Sequence, residues 1–311
     1  MTSRLTIAIA GATGDFGFQV AKAFLLPSLR SRFIDVVILT RAASARTQEL
    51  VSLGAKLCLY SADKLSESLE GINVLVNAVG SQGHDFKNQL LHAICNSSIQ
   101  LYFPSEFGVN HYIHDFSHDE WDAKKAHFRL SQQLAPKSLR ICRVYAGLFL
   151  EDSIGPWFGF ATRESRYQAV GSPDQPSSYT SKLDVGKALA ILASMPPNDV
   201  PAEVQLSGDS KSFNQTAAIM QEHGAGPIQV SSIPLDKYKL EVISSPSSTP
   251  ERYLRFLMGE GKIDHASRAL MNQNELFQGP LGIQTFKSME DLAKETNGKP
   301  WAEVEWKPTS P

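Results

Sequence analysis

Residues 5–149 alternate between short apolar runs and segments with the spacing of amphipathic helices, among them FGFQVAKAFLL, DKLSESLE and HDFKNQLLHAIC. The apolar runs contain few polar residues, which is typical of strands buried on both faces of a parallel sheet. Strands that alternate with helices in this way build a sheet covered by helices on both sides. The sequence therefore predicts an α/β fold with a doubly wound parallel (Rossmann) sheet, whose strands lie in LTIAIAG, DVVILTR, AKLCLYS, NVLVNAVG, IQLYFPS and LRICRVYAGLF.

This alternation ends near Phe149, after which glycine, serine and proline become frequent. We therefore predict a Rossmann domain over residues 1–150 and a smaller, mainly substrate-binding cap over residues 151–311. Within the second part, the helical pattern LDVGKALAILAS and the strand-like EVQLSG indicate that about 180–208 returns to the Rossmann sheet.

The composition is that of a globular protein and argues against several kinds of partner. The chain has 311 residues, 42% of them hydrophobic, and a formal net charge of -2. It carries no polybasic stretch for nucleic acid, and its apolar runs are shorter than the ~18 residues of a membrane span. The N-terminal apolar stretch leads into a glycine turn and not a cleavage site, so we expect a cytoplasmic protein. Three cysteines in apolar surroundings are expected to be reduced core thiols: Cys58, Cys95 and Cys142.

Three glycines, Gly11, Gly14 and Gly17, stand between the first predicted strand and the first predicted helix. At this position in a doubly wound sheet, the first glycine makes a tight turn, the second lets a pyrophosphate approach, and the third lets the helix pack closely on the strand. The spacing G-x-x-G-x-x-G is more like that of extended and atypical short-chain dehydrogenases than that of the plain dinucleotide motif. Three further residues of the turn are expected to contact the cofactor: Thr13, Asp15 and Phe16.

The end of the second predicted strand indicates which dinucleotide binds. An acidic residue there would bind the ribose hydroxyls of NAD(H), whereas an arginine accommodates the 2′-phosphate of NADP(H). The sequence has Arg41 and no acid, with Arg46 about a turn later, so NADP(H) is favoured. Val79 and Gly80, at the end of the fourth strand, are expected to lie beside the cofactor.

The stretch Pro104-Ser105-Glu106-Phe107-Gly108, which closes the fifth strand, is more specific than these general patterns. Together with the glycine motif, Arg41, Val79-Gly80, YAGLF at 145–149 and DVGKALA from Asp184, it resembles the NmrA-like atypical short-chain dehydrogenase/reductase family, in particular its isoflavone reductase-like branch. The resemblance covers most of residues 5–195. It implies a Rossmann fold, NADP(H) as cofactor, and reduction of a small specialised metabolite in secondary metabolism.

The resemblance also implies where catalysis takes place. In that branch a lysine in the segment after PSEFG is catalytic, and alignment through residues 121–123 places it at Lys124, with Lys125 as the alternative. A partly desolvated lysine beside a nicotinamide can donate a proton or stabilise developing oxyanion charge. The same resemblance implies cofactor contacts from four residues: Ser105, Glu106, Lys124 and Tyr145. The Tyr60-x-x-x-Lys64 match to ordinary short-chain dehydrogenases lies at the end of the third strand and is interpreted as coincidence.

Between PSEFG and Lys124 the loop VNHYIHDFSHDEWDA carries His111, His114 and His118 together with acidic residues. Their spacing of three and four residues is compatible with a metal site on a helix. The segment is rich in turn-forming residues, however, and the family resemblance implies no metal. We therefore predict no metal ion, and expect either a substrate-contacting histidine or, more often for such a loop, solvated polar sequence.

Together these features predict an NADPH-dependent reductase of a small aromatic or polycyclic metabolite. The substrate would lie between sheet and cap, against aromatic side chains that could equally belong to the core: Trp157, Phe158, Phe160 and Phe256. Two alternatives remain open, namely an NADP(H)-assisted rearrangement without net redox change, and a non-catalytic redox sensor. A small-molecule partner is expected, and a homodimer is a possible assembly.

Overall fold

The computed structural model describes residues 4–278 and 282–304. Six parallel strands form the main sheet, namely β1 Leu5–Ala10, β2 Phe33–Thr40, β3 Lys56–Leu59, β4 Val74–Asn77, β5 Leu101–Phe103 and β6 Arg140–Ile141. Their order in the sheet is β3-β2-β1-β4-β5-β6. This order reverses direction at β1, as expected for a doubly wound sheet.

Helices cover both faces of this sheet, which confirms the predicted fold class. The helices of the Rossmann part are α1 Asp15–Leu25, α2 Pro27–Arg30, α3 Ala45–Ser52, α4 His84–Cys95 and α5 Asp119–Leu134. Ile7 and Ile9 of β1 belong to the core cluster that includes α1, whereas Ala8 and Ala10 belong to the cluster that includes α4. Successive side chains of a strand point to opposite faces, so a fully apolar strand serves both layers.

The predicted helix in DKLSESLE is wrong. The segment forms two short 3-10 turns, Ala62–Lys64 and Glu67–Leu69. Leu65 and Leu69 are buried in the layer that includes α4. These two leucines, separated only by polar residues, hold the turns against the sheet. They do not form the continuous apolar stripe that stabilises an amphipathic helix.

The second half of the chain contains the remaining elements. Its helices are α6 Leu150–Ser153, α7 Lys182–Ala193, α8 Phe213–Met220, α9 Leu235–Ser244, α10 Pro250–Gly259 and α11 Met289–Glu295. The strands that follow β6 are β7 Arg143–Tyr145, β8 Leu148–Phe149, β9 Phe160–Ala161, β10 Arg166–Val170, β11 Ser177–Thr180, β12 Glu203–Gln205, β13 Asp209–Lys211 and β14 Gln229–Ile233. Two small sheets, β14-β10-β9 and β13-β11-β8, carry the cap, whose core is rich in aromatic side chains.

The segment 180–208 packs against the Rossmann part. Helix α7 lies on α1, and β12 pairs in parallel with β7. A Cβ atom at Gly186 would lie 2.7 Å from Ala23 Cβ and 2.9 Å from Val20 Cα. The glycine of the DVGKALA stretch therefore allows the two helices to approach more closely than any side chain would permit.

The three cysteines are free thiols. Cys142 is buried in the main core, whereas Cys58 and Cys95 are half-buried. Burial raises the pKa of the Cys142 thiol to about 12, so this group stays protonated and unreactive at neutral pH.

Candidate active site

The glycine turn between β1 and α1 lies directly against the end of β4. Gly11 has φ of 80°, and a Cβ atom there would lie 2.6 Å from the carbonyl of Ala78 and 2.7 Å from the nitrogen of Val79. A Cβ at Gly17 would lie 2.1 Å from the Gly11 carbonyl oxygen. Both positions require glycine for backbone packing, as the sequence pattern predicted.

Gly14 differs from the other two glycines. It is exposed, and a Cβ there would meet only the Gly11 carbonyl oxygen, at 3.3 Å. Folding alone therefore does not require glycine at this position. A bare backbone at the N-terminus of α1 leaves room for a phosphate group to approach the helix amides.

Two other residues of the turn have partners within the protein. Asp15 forms an ion pair with Lys182, the first residue of α7, which also binds Asp152 at 2.6 Å. Phe16 packs between two rings, with centroid distances of 5.0 Å to Phe107 and 4.9 Å to Phe149. Phe16 thus links the glycine turn to the PSEFG stretch.

Two arginines follow β2 beside the glycine turn. Arg41, the first residue after the strand, is exposed and forms no hydrogen bond or salt bridge within the described parts of the chain. Arg46 donates a hydrogen bond of 2.9 Å to the Thr13 carbonyl and lies 4.0 Å from an Asp15 carboxylate oxygen. Arg46 therefore supports the turn, while Arg41 is free to meet an anionic ligand.

Both backbone polar groups of Val79 form hydrogen bonds with side chains. Its N–H donates to Asn77 Oδ1 at 3.2 Å, and its carbonyl accepts a hydrogen bond of 2.8 Å from Ser105 Oγ. Ser105 belongs to PSEFG, so this contact joins the ends of β4 and β5. The predicted cofactor wall at Val79-Gly80 and the PSEFG stretch therefore form one continuous edge.

PSEFG itself is a tight double turn. Glu106 N–H donates to the Pro104 carbonyl at 2.8 Å, and Gly108 N–H donates to the Glu106 carbonyl at 2.6 Å. Between them Phe107 adopts φ of 33°, which is unusual for a residue with a side chain. Backbone strain of this kind concentrates at functional sites, where surrounding contacts maintain it.

Lys124 reaches this turn from α5. Its Nζ donates to the Glu106 carbonyl at 3.3 Å and lies 3.9 Å from Glu120 Oε1. Lys125 Nζ pairs instead with Asp122 Oδ1 at 3.3 Å. Their side chains are 16% and 17% exposed, so burial does not distinguish the two lysines, but only Lys124 contacts PSEFG.

The sequence reasoning missed Lys87, a buried lysine on α4 whose charge interacts with Lys124, Glu120 and Glu106. Burial lowers its pKa to about 8, and the neighbouring charge of Lys124 adds to this effect. Glu106 is also buried, which raises the pKa of its carboxyl group, although Lys124 opposes the shift. The available signal was a lysine in the first turn of the helix that follows Val79-Gly80.

Tyr145 lies in β7 and is fully buried. Its hydroxyl has no hydrogen-bond partner within the described residues, and burial raises its pKa. The neighbouring Arg143 guanidinium lies 3.8 Å from the ring centre of Phe128 and 4.5 Å from that of Tyr112. The charge of Arg143 also lowers the pKa of the Glu106 carboxyl group, against the effect of burial.

The loop histidines are buried, so the expectation of solvated polar sequence is wrong. His111 and His118 stack on Trp121 with centroid distances of 4.5 and 4.4 Å, and His114 stacks on Phe116 at 4.1 Å. The flat rings pack like apolar aromatics when neutral, and desolvation lowers the pKa of all three, that of His114 to about 4. Over residues 4–278 and 282–304, no group of three or more His, Cys, Asp or Glu side chains is arranged to hold a metal ion.

This histidine–tryptophan cluster, formed by His111, His114, His118 and Trp121, meets the cap. Tyr253 of α10 lies 4.8 Å from His118 and 5.8 Å from Trp121, and Phe256 packs on Phe116. Of the aromatics that could belong either to the substrate site or to the core, Phe160 stacks on Phe213 at 4.2 Å and Phe158 is buried, both in the core of the cap.

A Rossmann-type sheet with a glycine turn, an exposed arginine after β2 and a lysine that contacts the PSEFG turn has the features of the atypical short-chain dehydrogenases. The model of the NmrA-like family matches residues 3–286, and the chain belongs to this family. This confirms the resemblance seen in the sequence. No curated protein sequence matches the chain.

Three solved structures illustrate the similarity of the fold. Leucoanthocyanidin reductase from Vitis vinifera, solved with NADPH, is 17% identical over 94% of this chain and 99% of its own, with a TM-score of 0.74. Isoflavone reductase is 17% identical with the same coverage and a TM-score of 0.76. AtPrR2, solved with NADP+ and (+)pinoresinol, is 13% identical over 95% and 99%, with a TM-score of 0.76. At these identities the likeness concerns the fold. In the part of this chain that the structure describes, no helix has the length and apolar character needed to cross a membrane.

Proposed function

We propose that the chain is an NADPH-dependent reductase of a small aromatic or polycyclic metabolite, with Lys124 as its general acid. The observation that carries this proposal is the junction of three features at one edge of the sheet. The glycine turn abuts Val79, Ser105 binds the Val79 carbonyl, and Lys124 binds the turn that contains Ser105. A cofactor lying along Val79 would place its reactive end near Lys124.

The residues present fit NADPH. The bare backbone at Gly14 leaves the N-terminus of α1 open to a pyrophosphate, and Arg41, which has no partner among the described residues, can bind a 2′-phosphate. NADPH supplies a hydride when bound. Structures with the same fold solved with NADPH or NADP+ support this choice of cofactor.

Lys124 has two tasks in such a site. Its Nζ can donate a proton to an oxygen that gains electron density, or stabilise the negative charge there as a cation. The Glu106 carbonyl, at 3.3 Å, orients the ammonium group. Glu120 Oε1 lies 3.9 Å from the same Nζ and forms an ion pair with it.

The histidine–tryptophan cluster supports an aromatic substrate. Trp121, Phe116 and Tyr253 pack on one another and form an aromatic-rich contact between the Rossmann part and the cap. Five ring nitrogens of the three histidines have no hydrogen-bond partner within the described residues. A substrate bound beside this contact would meet aromatic side chains, which favours a substrate that itself carries aromatic rings.

The choice of cofactor is tested by Arg41→Ala. Hydrogen bonds to charged groups contribute about 1.5–3 kcal/mol, so this change should weaken NADPH about ten- to 150-fold and leave NADH nearly unchanged. Calorimetric titration of both cofactors measures this. Arg46→Ala is the matched control, because Arg46 holds the Thr13 carbonyl and should affect both cofactors alike. Equal losses for both cofactors in Arg41→Ala would rule out the 2′-phosphate role.

A further inference from the structure

A buried chain of hydrogen bonds runs from the proposed cofactor wall to helix α5. Val79 N–H donates to Asn77 Oδ1 at 3.2 Å, and Asn77 Nδ2 donates to Tyr102 Oη at 2.9 Å. Tyr102 Oη lies 2.9 Å from His127 Nε2, and His127 Nδ1 lies 2.9 Å from Asn88 Oδ1. Asn77 and Tyr102 are fully buried, and His127 nearly so.

The directions of the links follow from the two ends of the chain. A backbone N–H can only donate, so Asn77 must present its oxygen to Val79 and its amide nitrogen to Tyr102. At the other end His127 Nδ1 faces the Asn88 carbonyl oxygen, which can only accept, so a neutral ring carries its proton on Nδ1 and donates it to Asn88. Nε2 is then the acceptor for the single proton of the Tyr102 hydroxyl. All four bonds run the same way, an arrangement in which each bond polarises the next.

Both titratable members are held in the states that this chain requires. Burial lowers the pKa of His127 to about 4, with the charge of Lys87 adding to the effect, so the ring is neutral at neutral pH. Burial raises the pKa of Tyr102, so its hydroxyl keeps its proton. At neutral pH, therefore, neither member changes its charge.

Packing alone does not explain these residues. The surrounding layer between the sheet and α4 is built from side chains such as Leu75, Leu90 and Leu91. An apolar side chain would fill the place of Tyr102 or His127 without the desolvation cost of polar groups. A fully satisfied polar network instead fixes one arrangement of the elements that it joins.

The network joins the Val79-Gly80 wall to helix α5, the two parts whose relative position the proposed function depends on. Asn77 fixes Val79 from one side while Ser105 fixes it from the other. His127 lies on α5 three residues after Lys124, close to one helical turn. We propose that Tyr102 and His127 are positioning residues that hold the Val79-Gly80 wall and helix α5 in the arrangement that binds NADPH and presents Lys124. This inference rests on the proposed function.

Tyr102→Phe tests the role, because it removes only the hydroxyl in the middle of the chain. Asn77 then loses its acceptor and can rotate away from Val79. We expect NADPH to bind about three- to tenfold more weakly. In the ligand-free protein the amide hydrogen of Val79 should exchange faster, while the amides of Ile7 and Ile9 in β1 remain unchanged. Tyr167→Phe is the matched control, since it deletes the hydroxyl of another buried tyrosine, bound to Thr162 in the cap, and should leave NADPH affinity within about twofold.

The outcomes separate the two proposals. If the unmodified protein does not bind NADPH in calorimetry, the proposed function fails and the positioning role fails with it. If it binds, and both tyrosine variants bind equally well or Val79 exchange is unchanged, the positioning role alone is overturned. Should Tyr102→Phe not fold, nitrogen NMR of His127 in the unmodified protein decides. A neutral ring with its proton on Nδ1 is expected, and a proton on Nε2 would mean that the chain does not run as inferred.

Discussion

Lys124→Ala is expected to lower turnover about 10²- to 10⁴-fold, because a positioned general acid typically contributes that much. NADPH affinity should change little, since the proposed phosphate contacts lie at the glycine turn and Arg41. Removing the ammonium group also leaves the Glu106 carbonyl without its side-chain donor, but Gly108 N–H still binds it. Steady-state kinetics with calorimetry of NADPH separates the two effects.

Lys125→Ala is the control for this change. The neighbouring lysine has the same exposure and pairs with Asp122, three residues before it, so its removal should cost turnover much less. A larger loss in Lys125→Ala than in Lys124→Ala would transfer the catalytic assignment to Lys125. Equal and small losses of turnover in both variants would mean that neither lysine of α5 is the general acid.

Mild acid is expected to destabilise the protein strongly through its buried histidines. His114 and His127 have folded-state pKa values lowered to about 4, below the usual value near 6.5 of the unfolded chain. The unfolded state therefore binds more protons between these values, and stability present above pH 6.5 is lost as the pH falls. Linkage gives about 3 kcal/mol per histidine at pH 4, to which His111 and His118 add in the same direction.

His114→Phe isolates one part of this effect. Phenylalanine keeps a flat ring for the stack on Phe116 and has no proton to gain. The slope of unfolding free energy against pH, measured by urea titration between pH 4 and 6.5, should become shallower than in the unmodified protein. An unchanged slope would mean that His114 is protonated in the folded state at these pH values.

The sheet was predictable from the sequence because its strands are apolar on both faces. Ile7 and Ala8 serve opposite layers, and such runs leave few other folds available. Gly11 and Gly17 were predictable for a similar reason, since backbone contacts of 2.1 to 2.7 Å exclude any side chain. In both cases the residue type at a position follows directly from how closely the neighbouring backbone or layer packs there, so the sequence pattern reveals the packing.

The burial of polar side chains was not predictable in this way. His111, His114 and His118 look solvated in sequence, yet they pack on Trp121, Phe116 and Tyr253, the last of which is more than 130 residues away. Lys87 is buried only because α4 lies beside α5 and the PSEFG turn. Tertiary neighbours decide these environments, and a single sequence does not specify its tertiary neighbours.

Transfer of deuterium from NADPH to product tests the central claim most directly. The protein would be incubated with NADPH deuterated at its transferable position and a panel of polycyclic aromatic metabolites that begins with (+)pinoresinol. Product mass and the absorbance of the reduced nicotinamide would be followed together. A reductase must place one deuterium in each product molecule and consume one NADPH for it. Product that contains no deuterium while NADPH persists over many turnovers would contradict reduction and indicate a redox-neutral rearrangement at the same site.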